Sequence, residues 1–324
     1  MATDASTSAS SAPAPAASSS SSTAPAPLDS SRPATIILWS HPRSCSTMFE
    51  CMFLGKPDDF HVLHEPMGES WYYSKERVHQ RFSQETCEQS EHWDYTYDKA
   101  WKDVSTPHPT KRVFSKDMAS YIIDMNKPLG SVAPSYEGKP TTPTNPTLIP
   151  TSELLQPHVV HTFLIRHPRR AVPSYARLCY PGAKTGFDYF DPSEMGYAES
   201  RRLFDFIREA TGQTPHIVEA ETLLQEPKKV VSEYCKAVGV DFNEDMLEWN
   251  SATRDHFAKW KGWHEDAEQS TGVGRRSPSA DSNSDKPAAA HKPKEDKPLS
   301  DELLKTVEAN LEDYEYLRSF ASKA

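Results

Sequence analysis

The stretch Thr35-Ile-Ile-Leu-Trp-Ser-His-Pro-Arg-Ser-Cys-Ser-Thr-Met-Phe-Glu50 decides the reading of this chain. Ile36, Ile37, Leu38 and Trp39 form a continuous apolar run, the pattern of a parallel strand covered on both faces. A short polar loop follows, and then the start of a helix carrying Met48, Phe49, Met52 and Phe53. Ser46 or Thr47 is placed to cap that helix, so that free backbone N–H groups and the positive dipole end point into the loop. Arg43 and the hydroxyls of Ser44, Ser46 and Thr47 add donors at the same spot. Such a loop suits a phosphate or sulfate group.

The loop has neither the glycines nor the lysine of the nucleotide-binding pattern G-x-x-x-x-G-K-[ST], which argues against ordinary ATP hydrolysis. A second apolar strand pattern, Val159-Val-His-Thr-Phe-Leu-Ile165, runs into Arg166-His-Pro168, with Ser174 and Tyr175 further on. Together the two segments resemble the sulfotransferase superfamily. In that family a loop of the form P-[KR]-S-[GT]-[ST]-T holds the 5′-phosphosulfate of 3′-phosphoadenosine 5′-phosphosulfate (PAPS). A later R-x-P-x-x-x-x-x-S-x-Y segment holds the 3′-phosphate. The matching positions here are Pro42 to Thr47, then Arg166, Pro168, Ser174 and Tyr175. The resemblance extends from about residue 34 to 272 and is nearer to a branch with PRSxST, HEP, KDM and STG motifs. All four stand in order as Pro42 to Thr47, His64-Glu65-Pro66, Lys116-Asp117-Met118 and Ser270-Thr271-Gly272.

The resemblance implies PAPS as co-substrate and no metal. It places Arg43, Ser44, Cys45, Ser46, Thr47, Arg166, Ser174 and, by a local likeness of Trp260 to His264, Lys261 on the donor side. It also implies sulfuryl transfer to a hydroxyl, phenol or amine of a small molecule, with Arg43 stabilising the leaving phosphate and Glu65 as the base. His64 is the second candidate for the base and Asp117 the third. Two departures bear on this. Cys45 stands where the family usually has glycine, and Pro173 lies beside Ser174, where it fits a helix only in the first turn or at a kink. A helix starting near Arg169 would remove the second conflict. A P-loop-type kinase or ATPase and a catalytically silent nucleotide-binding protein are the alternatives.

The remaining composition sets limits. The chain has 324 residues and a net charge of −10, which argues against a general nucleic-acid surface. No apolar run approaches the roughly 20 residues needed to span a bilayer, and the first 33 residues, rich in Ala, Ser, Pro and Thr, lack the apolar stretch of a secretory signal. Five cysteines without a C-x-x-C pair argue against a zinc site or disulfide framework and fit a reducing, cytoplasmic setting. Residues 1–33 read as a disordered tail, 34–272 as an α/β domain, 273–298 as a disordered linker and 299–324 as a helix packing back on the domain. Asp301 is placed to cap that last helix.

Strands are expected at 35–39, 60–64, 112–116, 159–166 and 216–219, with helices at 46–54, after 166 and at about 193–211. This alternation predicts a doubly wound parallel sheet with ligands at the carboxyl ends of its strands. The insert between Pro66 and Lys111 carries Trp71, Tyr72, Tyr73, Phe82, Trp93, Tyr95, Tyr97 and Trp101. Those rings serve either as the wall of an aromatic or apolar acceptor pocket or as helix core.

Overall fold

A computed structural model describes Met1 and residues 34–249, 256–257, 259–265, 270–273, 275–276 and 298–322, the side chains of 275 and 276 excepted. The expectations for the N-terminal tail and for most of the 273–298 linker lie outside those residues.

Five parallel strands form the central sheet: β1 (Thr35–Ser40), β2 (Phe60–His64), β3 (Arg112–Met118), β4 (Val159–Ile165) and β5 (His216–Glu219). Their order is β2-β3-β1-β4-β5. The chain leaves β1 on one side and returns on the other, so the crevice at the switch point opens beside the carboxyl end of β1.

Strand β1 is buried along its whole length, and alternation divides its side chains between two cores. Ile37 and Trp39 join the core built with α2 (Pro66–Tyr72), α4 (Tyr97–Ser105), α6 (Pro168–Ala176), α7 (Tyr197–Thr211) and α10 (Asp301–Arg318). Ile36 and Leu38 face the opposite core, where α1 (Ser46–Leu54) and α9 (Pro227–Ala237) contribute Phe49, Phe53, Val231 and Tyr234. Phe53 stacks on Phe114 with ring centroids 3.8 Å apart. The remaining short helices are α3 (Gln84–Glu88), α5 (Thr151–Leu154) and α8 (Ala220–Gln225). A doubly wound α/β domain results, as the alternation of patterns predicts.

Several boundaries differ from expectation. α1 does begin at Ser46, but its N-cap is Cys45, in the left-handed region at φ 71°, and no side chain caps it. α10 is capped by Ser300 rather than Asp301, with the serine Oγ accepting from the Leu303 amide at 3.4 Å. α6 begins at Pro168 and contains Pro173 past its first turn, so a later start does not relieve that proline. The α/β domain does not stop at Gly272. Ser270–Gly272 forms β6 against β7 (Arg275–Arg276), and Val273 is buried with its amide on the Leu247 carbonyl at 3.1 Å.

The insert rings are mainly core. Trp71, Tyr72, Tyr97 and Trp101 are buried, while Tyr73, Phe82 and Tyr95 pack against them. Glu194 fastens this insert to α6: its carboxylate accepts from Tyr72 Oη at 2.9 Å, from Arg81 Nε at 2.7 Å and from the hydroxyl of Tyr175. α10 packs back on the domain through Val307, Tyr314 and Leu317. Among the described residues no helix is long and apolar enough to cross a membrane.

Candidate active site

The loop between β1 and α1 is shaped by strain. Arg43, Cys45 and Glu65 have φ of 63°, 71° and 49°, and among the described residues they are the non-glycine positions with positive φ. All three sit at the carboxyl ends of β1 and β2, and such conformations persist where the surroundings over-determine them. The left-handed turn at Cys45 explains why a glycine suits that position and how a cysteine still completes the loop. The first amides of α1 have no partner within the helix and no side-chain cap, so they remain available to a ligand in the loop.

Arg43, Arg166 and Ser174 converge there. Arg166, just past β4, donates from Nη1 to the Arg43 carbonyl at 3.0 Å. Arg43 donates from Nε to Ser174 Oγ at 3.0 Å and from Nη1 to the Trp263 carbonyl at 2.6 Å. His41 braces the turn: its Nε2 accepts from the Arg166 amide at 3.0 Å, so its Nδ1 carries the hydrogen and donates to the Pro42 carbonyl. Burial pushes the His41 pKa down to about 3, keeping that ring neutral. Two buried polar atoms in this cluster, Ser44 Oγ and Arg166 Nε, have no hydrogen-bond partner. The nearest acid to Arg166 Nε is Glu221, 3.8 Å away. Unmet buried donors beside a helix N-terminus are what an incoming anion would satisfy. Lys261 is exposed, on the segment whose Trp263 carbonyl receives Arg43.

The three candidate bases occupy different environments. Glu65, buried at the end of β2, is ion-paired to Lys116. Burial opposes its ionisation, but Lys116, with His64 and Lys259, outweighs that and holds its carboxyl below the usual range. Asp117 accepts from the amides of Met67 and Met118, each at 2.9 Å, and so ties β3 to the start of α2. Its burial, aided by the nearby Glu65 charge, pushes its pKa up to about 8 despite those two amides. It is mostly protonated near neutrality and a poor base there. His64 is also buried, with both ring nitrogens engaged: Nδ1 to Glu50 Oε2 at 2.8 Å and Nε2 to His264 Nε2 at 3.1 Å.

The sequence pattern assigns no role to Glu50 or His256, and it includes His264 only as the end of the segment likened to the donor side. Glu50 stands in the otherwise apolar run Met48-Phe-Glu-Cys-Met-Phe53, a carboxylate where a core side chain is expected, and that was the available signal. Its Oε1 binds His256 Nε2 at 2.9 Å, and Lys116 Nζ lies 3.9 Å from its Oε2. Glu50, His64 and His256 bring one ligand-type atom each within 4.8 Å of one another. Both carboxylate oxygens are already bound by imidazoles, so the trio is internally satisfied as a hydrogen-bonded network. All five cysteines are unbridged.

The α/β domain is a parallel sheet with a donor-rich loop at its switch point. Residues 153–294 match the sulfotransferase domain family. The sulfotransferase ppzF of Metarhizium majus (strain ARSEF 297) is 27% identical over 192 residues, covering 54% of this chain and 56% of the relative. The chain thus spans little more than half the length of that curated relative. Among solved structures, the sulfotransferase domain of the Synechococcus PCC 7002 olefin synthase aligns at a TM-score of 0.41 with 19% identity, covering 85% of this chain and 93% of that one. A sulfotransferase from Alicyclobacillus acidocaldarius aligns at 0.37 with 16% identity, covering 72% and 92%.

Proposed function

We propose that the chain transfers a sulfuryl group from PAPS to a hydroxyl, phenol or amine of a small molecule. The observation that supports this best is the convergence of Arg43, Arg166 and Ser174 on one loop, with Ser44 Oγ and Arg166 Nε buried without a hydrogen-bond partner beside it. In this reading Ser44, Cys45, Ser46 and Thr47 line the phosphosulfate loop, Arg166 and Ser174 hold the 3′-phosphate, and Lys261 lies at the mouth. PAPS supplies an activated sulfuryl group whose transfer, like phosphoryl transfer, is governed by positioning and charge stabilisation. Arg43 and the α1 amides would stabilise the charge that grows on the leaving oxygen. Arginine keeps its proton, so Arg43 acts as a clamp and not as a general acid.

Of the three candidate bases, Glu65 is the one both ionised near neutrality and at a strand end beside the loop. It takes the acceptor's proton, and Lys116 keeps it charged until then. Asp117 holds α2 in place. His64 serves through its neighbours.

The test is calorimetry with 3′,5′-adenosine bisphosphate against AMP. The bisphosphate should bind more tightly, and Arg166→Ala should erase the preference. Equal affinity in the wild type would refute the reading.

A further inference from the structure

Four side chains form an unbroken line from the anion loop into the protein. Thr47 Oγ1 lies 2.9 Å from His264 Nδ1, His264 Nε2 lies 3.1 Å from His64 Nε2, and His64 Nδ1 lies 2.8 Å from Glu50 Oε2. The hydrogens on this line follow from one end. Glu50 is held ionised by His64, His256 and Lys116 against the burial that opposes it, so its oxygens only accept and His64 Nδ1 must donate. Burial lowers the pKa of both His64 and His264, which favours the neutral form of each ring. A neutral His64 donating from Nδ1 has a bare Nε2, so His264 Nε2 carries the hydrogen. His264 Nδ1 is then bare, and the Thr47 hydroxyl must donate to it. In this state the hydroxyl proton points inward, away from the loop.

One added proton reverses the upper half of the line. With His64 protonated on both nitrogens, its Nε2 donates to His264 Nε2, His264 Nδ1 donates to Thr47 Oγ1, and the Thr47 proton is freed. We infer that His264 is a positioning residue that sets the direction of the Thr47 hydroxyl, and that one proton on the Glu50–His64–His264 line turns that hydroxyl toward an anion in the loop. The inference rests on the reading of this loop as the phosphosulfate site.

The charges facing the line suit such a coupling. Glu50 from α1 and Glu65 at the end of β2 favour the added proton, while Lys116 from β3 and Arg43 from the loop oppose it. Lys259 binds the His64 carbonyl at 3.0 Å, and the rings of His256 and Phe257 pack against His64. A bound anion beside Thr47 adds a negative charge to the favouring side. By linkage the anion then draws the proton in, and its affinity rises as pH falls.

The test titrates the full chain with inorganic sulfate, which does not itself take up protons near neutrality, and separately with 3′,5′-adenosine bisphosphate. Calorimetry in two buffers of different ionisation heat counts the protons. The wild type should take up close to one proton per sulfate above pH 7, with affinity rising by up to about tenfold per unit fall in pH. His264→Gln should bind without that uptake. Thr47→Ser should keep the coupling, whereas Thr47→Val should lose both affinity and its pH dependence. Equal proton uptake in the wild type and His264→Gln would overturn the inference, as would binding of neither anion. Proton-coupled sulfate binding together with equal affinities for AMP and the bisphosphate would leave the inference standing and sink the donor assignment instead.

Discussion

Replacing Lys116 by methionine isolates the contribution of a cation with no exposed surface that faces two buried carboxylates. It is ion-paired to Glu65 and lies 3.9 Å from Glu50. At an effective dielectric near 20 the Coulomb attraction to Glu50 alone is about 4 kcal/mol before any cost of desolvation. Removing one partner of a buried pair strands the other, and the expected loss is about 3–5 kcal/mol near neutral pH. For a domain of this size that lowers the Tm by about 6–20 °C. The pH dependence follows from Glu65. In the wild type its folded pKa lies below its unfolded value, so its contribution is present above the unfolded value and lost as pH falls through the folded one. Without Lys116 burial dominates and the folded pKa rises above the unfolded value. The penalty for the stranded carboxylate then grows as pH rises. The gap between wild type and Lys116→Met should therefore be widest near pH 7 and narrow toward about pH 4.5. Denaturant unfolding at several pH values measures it. A variant as stable as the wild type near neutrality, or a gap that does not change with pH, would refute this account of the pair.

Glu65→Gln should leave bisphosphate affinity intact and slow single-turnover sulfuryl transfer by roughly 100-fold or more, whereas Arg43→Ala should weaken donor binding as well as transfer. Wild-type rates in Glu65→Gln would remove Glu65 as the base. At Cys45, φ 71° favours glycine and disfavours β-branching. Melting temperatures should therefore rank Cys45→Gly at or above the wild type and Cys45→Val below it, the valine variant losing about 1–2 kcal/mol. Gly68 has no such backbone constraint but lacks space: an added Cβ would lie 2.9 Å from Trp260 Cζ2 and 3.1 Å from Tyr121 Cε2. Gly68→Ala should cost about 1–3 kcal/mol, read as a lower Tm, and an unchanged Tm would mean that the Trp260 ring yields freely.

The linear pattern determined the elements whose signals are local. β2, β5 and α1 fall at the expected residues because an apolar run, a polar break and a change of period each depend on a few neighbouring side chains. The loop that carries Arg43 between β1 and α1, and the positions of Arg166 just past β4 and Ser174 on α6, were legible for the same reason. Each motif runs from one strand end into the helix that follows, so residue type and spacing alone carry it.

Tertiary structure decided how those groups are partnered. Whether Glu65 is ionised depends on Lys116, whether Asp117 is protonated depends on its burial, and the state of His64 depends on Glu50 and His264. The His64 and His264 rings meet across 200 residues of chain, and no periodicity in either segment points to the other. Even the cap of α1 fell to a left-handed Cys45 rather than a hydroxyl, in the same turn that carries Arg43 to its hydrogen bond with Ser174. Local composition sets which backbone conformations and which chemical groups are available, since steric and period effects act over a few residues. Burial and charge act through space, so the protonation states that would carry the chemistry exist only once β1, β2, β3 and the 259–265 segment have packed together.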